Sequence, residues 1–333
     1  MGEFDFIARL QQRLAEQPFN AGIDVGIGDD AAILSPPPDH RLVVTADTLN
    51  AGVHFPHCTA PYDIGYKTLA VNLSDLAAMG AEPWACTLTV GLPSLDPAWM
   101  EAWLDGFLAA AQLGGITLIG GDTTRAPFAT FGVTAMGLLP SSDATAGNGG
   151  LRRGNALAGD DVWVSGELGG AALALRLGEA APADLRVRLD RPVPRLALGS
   201  ALRQVPDIGG CCDVSDGLLA DLGHIAVASG VRIELDADRI PMGQALRVVA
   251  DGLTLALTGG DDYELAFTAS AAAREQVLAA GAQAGVAVTR IGRALGGEPG
   301  VHVLDPMGRE VPVQRAGWDH FATATTATPT TAG

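Results

Sequence analysis

One carboxylate, Asp75, stands in an otherwise apolar run, Val71-Asn72-Leu73-Ser74-Asp75-Leu76-Ala77-Ala78-Met79-Gly80. A lone charge among Leu73, Leu76, Ala77 and Met79 is expensive to bury unless something pairs with it. Five further acidic clusters have the same character: Gly28-Asp29-Asp30-Ala31-Ala32, Thr45-Ala46-Asp47-Thr48, Gly120-Gly121-Asp122-Thr123-Thr124, Asp213-Val214-Ser215-Asp216-Gly217 and Gly259-Gly260-Asp261-Asp262-Tyr263. Each lies at the end of an apolar stretch, beside Gly, Ser or Thr. Hard oxygen donors grouped in this way suit Mg²⁺ and, through Mg²⁺, a nucleoside triphosphate.

Taken singly, each cluster also has a plain structural reading. Asp29-Asp30 fits an Asp-rich turn, and Asp47, at the end of a strand Leu42 to Thr45, fits an Asx turn. Asp216 fits the cap of a helix beginning at Leu218. Gly120-Gly121 reads as a turn after a strand Ile116 to Ile119, whose free N–H groups would serve phosphate oxygens beside Asp122. The helix after Gly217 would favour an anion at its amino end, next to Asp213, Ser215 and Asp216. The total carries the argument. Four or five such carboxylates converging on one place would repel one another strongly, and two or more Mg²⁺ ions are the economical remedy. The chain has no GxxxxGK[ST] stretch, and Gly26-x-Gly28 lacks the rest of a dinucleotide fingerprint.

The elements that must position these groups are legible from periodicity and punctuation. Phe4 to Glu16 is amphipathic, with Ile7, Leu10 and Leu14 on one face. Pro61 opens a long helix ending near Gly80, and Pro97 to Leu113 is a helix stopped by Gly114-Gly115. Ala31 to Leu34, Trp84 to Leu92 and Phe131 to Leu139 read as strands. A Ser, Asp, Gly and Asn-rich stretch over 140–159 marks a domain boundary. Beyond it come strands Asp161 to Ser165, Ile208 to Val214, Val231 to Leu235, Glu264 to Thr268 and Val286 to Ile291. Helices Gly169 to Leu177, Pro194 to Val205, Leu218 to Ala228 and Ser270 to Ala284 fall among them. Both halves mix helices and strands without a regular βαβ alternation, so the fold class is α/β in the mixed, α+β sense.

The chain has 333 residues, 48% of them hydrophobic, enough for two ordinary cores. A net charge of −17 disfavours nucleic acid and anionic membranes as partners, and an anionic substrate would need cations to approach. No apolar run approaches the roughly 20 residues of a membrane span, and residues 1–16 lack the pattern of a signal peptide. Cys58, Cys86, Cys211 and Cys212 form no CxxC pair and are expected to be reduced, core or near-core thiols, as in a cytoplasm.

The ordered series GIGDDAA (26–32), TADTLNAGVHF (45–55), YKTLAVNLSDLAAMGAEP (66–83), LIGGDTTR (118–125), DVSDGLLADLGHI (213–225) and GGDDYEL (259–265) resembles the thiamine-monophosphate kinases. LSDLAAMGA and the GGDT-like element recur across the wider aminoimidazole-ribonucleotide synthetase-like superfamily. AGVHF, DVSDGLLADL and AGWDHF (316–321) are more specific to the kinases. The resemblance spans nearly the whole chain and implies transfer of the ATP γ-phosphoryl group to thiamine monophosphate. It further implies Mg²⁺ held by Asp30, Thr45, Asp47, Asp75, Asp122, Asp213 and Asp216. ATP would be contacted by Gly121, Asp122, Arg153 and Ser215, and thiamine monophosphate by His54, Asp261 and Trp318. No single catalytic side chain is implied, because the transfer is metal-assisted. The implied architecture is an ATP- and Mg-binding domain over 1–140, a linker over 141–159 and a second α/β domain over 160–321; residues 322–333, all Thr, Ala, Pro and Gly, are expected from composition to be a disordered tail. A homodimer would pair the amino-terminal sheets across a two-fold axis.

Two positions depart from the family pattern: Asp261 replaces the usual Glu of GGEDYEL, and Ala46 stands where relatives often carry Ser or Thr. Two competing readings are a superfamily enzyme acting on a formyl-amidine ribonucleotide or on selenide, and an acidic Ca²⁺-binding protein. The first is disfavoured by AGVHF and AGWDHF and by the lack of a reactive Cys in an amino-terminal Gly-rich loop, the second by the absence of EF-hand spacing.

Overall fold

The structure, a computed structural model, describes residues 3–14, 20–141 and 150–313. Trp318, the AGWDHF segment and residues 322–333 lie outside that range. The chain begins with α1 (Glu3–Leu14), whose buried stripe is Phe6, Leu10 and Leu14, with Ile7 at its margin. Next come β1 (Ile23–Val25), β2 (Ile33–Leu34), β3 (His40–Asn50), α2 (Pro61–Ala78), β4 (Glu82–Leu92), α3 (Pro97–Gly114), β5 (Thr117–Arg125) and β6 (Thr130–Pro140).

The last four strands of this half form a sheet in the order β3-β6-β4-β5, antiparallel except for β4–β5. Helices α2 and α3 form as their punctuation dictates. Each has Pro in its first turn; Asp96 accepts the Trp99 N–H at 2.9 Å, and Gly115 closes α3 in the left-handed conformation. The two helices touch backbone to backbone, because a Cβ on Gly65 would collide with the Trp103 carbonyl and one on Gly106 with the Tyr62 carbonyl. Leu69, Leu73, Leu76, Trp103, Phe107 and Phe131 fill the space between helices and sheet.

The second half contains β7 (Asp161–Ser165), α4 (Gly170–Leu177), α5 (Ala183–Asp190), α6 (Leu196–Arg203), β8 (Ile208–Asp213), α7 (Leu218–Ser229) and β9 (Arg232–Asp236). It ends with α8 (Gln244–Arg247), α9 (Gly252–Thr258), β10 (Leu265–Ala269), α10 (Arg274–Ala284), β11 (Val288–Leu295) and β12 (Gly300–Leu304). Its six strands run β12-β9-β11-β7-β10-β8, with only the β12–β9 pair parallel. Every residue of β7 and β10 is buried, which explains their continuous apolar reading: both faces of the sheet are covered. The halves meet where α2 lies on α6; Ala77 and Ala78 share a core cluster with Leu198 and Leu202.

Sheet pairing corrects several local readings. Asp47 is not at a strand end, because β3 continues to Asn50 and pairs Asp47 with Val133. Gly120-Gly121 is no turn: β5 runs through it to Arg125, with Gly121 opposite Leu88 and Asp122 opposite Thr89. A Cβ at Gly121 would strike the Leu88 carbonyl, so the glycine serves close strand approach. Of Ala31 to Leu34 only Ile33–Leu34 is strand. Strand β1, helices α5, α8 and α9 and strand β12 had no counterpart in the sequence reading. All four cysteines are free; Cys58 is exposed rather than near-core.

Candidate functional site

A cavity of about 550 Å³ opens where the carboxyl half of α2, strand β3 and the loops after β8 and α9 face one another. Asp47, His54, Asp75, Asp213, Ser215, Asp216 and Asp261 all line it. Asp47 comes from a strand interior and Asp75 from the last turn of a helix, so both are carried by rigid backbone. The α2 side chains fix these positions. Asn72, fully buried, accepts the Asp47 N–H at 3.1 Å and donates to the Thr68 carbonyl at 3.2 Å. Asp75 accepts the Thr45 hydroxyl. Ser74 donates to Asp213 at 2.7 Å and thereby ties α2 to the end of β8.

The electrostatics are those of an under-compensated acidic cluster. Burial, then Asp75 and Asp216, push the Asp47 carboxyl up to about 6. Burial, then Asp75, push Asp213 up to about 8 against the opposing Ser74 hydrogen bond. Asp75 is raised by burial, opposed by the Thr45 hydroxyl and the charge of Arg153. Burial is the largest cause in all three, and at Asp47 and Asp213 neighbouring carboxylates add to it.

The loop carrying Ser215 and Asp216 is shaped by a residue that the sequence reading passed over. Asp221, in the first turn of α7, accepts the N–H groups of Ser215, Asp216 and Gly217 at 3.0, 3.1 and 3.1 Å. Asp216 therefore does not cap α7; Gly217 is the cap residue, and Asp221 satisfies the loop donors. The facing loop is tied to this one, Asp261 N–H to Ser215 O at 2.9 Å and Tyr263 N–H to Val214 O at 2.8 Å. His54 holds its own turn by accepting the Asn50 N–H on Nδ1 at 3.0 Å. Lys67 was also missed. It is the one cation of α2, which also carries Asp63 and Asp75, and the logic that singled out Asp75 applied to it as well.

The remaining expected residues lie elsewhere. Asp30, Gly121 and Asp122 line a second cavity of about 470 Å³, between α1 and β5. Arg153 is exposed, on a short turn of helix beside α7, within electrostatic reach of Asp75. Trp318 lies outside the described residues. Among the described residues no three His, Cys, Asp or Glu side chains converge tightly enough to hold an ion by themselves. The donor set nonetheless fits Mg²⁺, which keeps several waters and typically takes one or two carboxylates plus substrate phosphate oxygens.

The family "AIR synthase related protein, N-terminal domain" matches residues 28–139, and its C-terminal domain matches 157–305. The thiamine-monophosphate kinase of Salmonella typhimurium is 40% identical over 334 residues, covering 97% of this chain and 99% of the relative. The crystal structure of thiamine-monophosphate kinase from Stenotrophomonas maltophilia K279a is 50% identical, with a TM-score of 0.81 over 91% of this chain and 96% of that one. AaThiL complexed with AMPPCP and TMP is 29% identical, with a TM-score of 0.73 over 96% and 97% of the two chains. With identity of this level along almost its entire length, the chain belongs to the thiamine-monophosphate kinases, a family built from the two AIR synthase related domains.

Proposed function

We propose that the protein transfers the γ-phosphoryl group of ATP to thiamine monophosphate, giving thiamine diphosphate and ADP. The observation that carries this reading is the cavity between the two sheets, where Asp47, Asp75, Asp213 and Asp216 gather with too little positive charge. Such a site is stable when cations and phosphates arrive together. The relative solved with AMPPCP and TMP supports the same pairing of ligands.

Thr45, Asp47, Asp75, Asp213 and Asp216 would hold Mg²⁺ in this cavity, with Asp30 and Asp122 contributing from the second one. Bound Mg²⁺ supplies neutralisation of the charge that develops between donor and acceptor phosphates. Gly121, Arg153 and Ser215 would contact the nucleotide phosphates, and His54, Asp261 and Trp318 the acceptor. The acceptor is already a phosphate oxyanion, so the residues need to align the reactants and exclude water rather than abstract a proton. The protein is read as a homodimer. The exposed Leu42 and Val44, at 46% and 57%, form an apolar stripe on edge strand β3, suited to pairing the amino-terminal sheets. Among the described residues no helix is long and apolar enough to cross a membrane, and a cytoplasmic location follows from the proposed use of ATP.

The test is ADP release with ATP and Mg²⁺, with and without thiamine monophosphate, the product being identified by chromatography. Thiamine diphosphate formed only when both substrates are present is the expected result. Thiamine monophosphate left unchanged by folded protein overturns the proposal.

A further inference from the structure

Lys67 is 2% exposed, although it lies in the middle of α2 among Tyr66, Thr68 and Leu69, all buried. An ammonium so placed is tolerated only where it is paired and hydrogen-bonded. Its Nζ lies 2.9 Å from Asp261 Oδ1 and donates to the His54 carbonyl at 3.3 Å. Those partners belong to opposite halves of the chain: His54 to the turn after β3, Asp261 to the loop between α9 and β10. Asp190 also acts on Lys67, but its own carboxylate is paired with Arg186 at 2.8 Å.

The Asp261 end is restrained from several sides. Tyr263 Oη donates to the same Oδ1 at 3.1 Å. Asp261 and Tyr263 both have positive φ, 68° and 50°, which L-residues rarely adopt and which the surroundings must enforce. Gly260 between the two loops leaves no room for a Cβ, which would strike the Ser215 carbonyl. With Oδ1 taken by two donors, the Asp261 side chain still keeps 28% exposure and lines the cavity. The carboxylate is therefore aimed, not merely present.

We propose that Lys67 is the positioning residue of the acceptor end of the site. It is a buried clamp that locks the His54 turn to the Asp261 loop and so fixes how thiamine monophosphate is held, while leaving the nucleotide end untouched. The inference rests on the reading of the protein as a thiamine-monophosphate kinase. It also gives a use to the shortened carboxylate at 261: an Asp at this position still meets the lysine, and the lysine sets its orientation.

The experiment compares wild type with Lys67→Met, Lys67→Arg, Asp261→Asn and the double variant Lys67→Met/Asp261→Asn. Steady-state kinetics are run in each substrate separately, with thermal unfolding alongside. Lys67→Met is expected to raise KM for thiamine monophosphate about tenfold or more with KM for ATP within about twofold, and Lys67→Arg to recover part of that loss. The double variant is expected to cost little more than the worse single one, since both remove the same contact. A lysine that merely supports the fold would lower the unfolding temperature and leave KM for thiamine monophosphate unchanged; that result overturns the proposal. Should Lys67→Met fail to fold, Tyr263→Phe removes the other donor on Asp261 and is expected to raise the same KM about threefold, with no rise counting against the clamp. No thiamine diphosphate from the wild-type protein overturns the functional reading itself, and the clamp with it, whereas wild-type turnover with an unaffected variant overturns the clamp alone.

Discussion

Glu264 and Asp213 are neighbours across the junction of β8 and β10, and both are almost fully buried, at 3% and 4% exposure. Their surroundings are opposite. Glu264 accepts Arg195 Nε at 2.7 Å and Nη2 at 2.5 Å, and the Ser165 hydroxyl at 2.5 Å. Ser165 in turn accepts the Leu265 N–H at 2.9 Å, which closes the network. Asp213 takes a hydrogen bond from Ser74, and the charges acting on it are Asp75, Asp221 and Asp47, all carboxylates. One chain thus deals with two buried acids a strand apart in two ways. Where the acid holds the fold together, a guanidinium comes with it. Where the acid faces the cavity, the compensating charge is left for a ligand to bring.

The widest separation between the two sites should come from neutralising the cavity. Asp75→Asn and Asp213→Asn are expected to lower kcat/KM by about two to three orders of magnitude, with the unfolding temperature unchanged or higher, because each removes repulsion. A large fall in unfolding temperature instead would erase the contrast with Glu264. The converse change is Arg195→Met, which strands a buried carboxylate and is expected to cost about 3–5 kcal/mol in urea unfolding. Variant that remains folded should keep its KM values for both substrates. Next in size is the response to metal: Mg²⁺ at about a hundred times its dissociation constant should stabilise the wild type by about 2.7 kcal/mol. Asp213→Asn should lose most of that gain and Glu264→Gln should retain it, and equal gains in both variants would place the metal elsewhere.

The smallest effect extends the comparison to a third buried acid. Burial opposes ionisation of Asp161 on β7, but hydrogen bonds from Arg274 at 2.5 Å and Arg290 at 3.0 Å outweigh it, and the carboxyl is held below the usual carboxylate range. A depressed folded-state value contributes stability that is present above the unfolded value and is lost as pH falls through the folded one. Asp161→Asn should therefore be less stable than wild type near neutrality, and the gap should close in strong acid. Both arginines are substantially exposed, so the effect is expected to be modest. A gap that persists at low pH would mean that packing, not charge, makes the difference.

Much of this was legible in the residues themselves. Pro61, Pro97 and Gly115 set the limits of α2 and α3, because a missing N–H, a fixed φ and a left-handed cap act locally. Asp75 announced itself as a lone charge in the apolar run 71–80, and the continuous apolar runs of β7 and β10 fitted strands covered on both faces. The same local logic failed where pairing decides. Gly120-Gly121 has every mark of a turn, yet β4 supplies eight residues of parallel register alongside Thr117–Arg125 and holds it extended. Asp47 looked like a strand end, yet β6 pairs with β3 through all eleven of its residues.

What the sequence by itself determined is the inventory of chemistry: isolated carboxylates beside Gly, Ser and Thr, and the helices that their neighbours impose. What only the tertiary structure decided is which of those groups meet. Ser74 reaches Asp213 across 139 residues, Lys67 finds Asp261 on the facing loop, and Asp221 rather than Asp216 satisfies the start of α7. The physical reason is range. Helix caps and turns are settled within a few residues, whereas the meeting of two buried charges depends on sheets and helices packed from both halves of the chain.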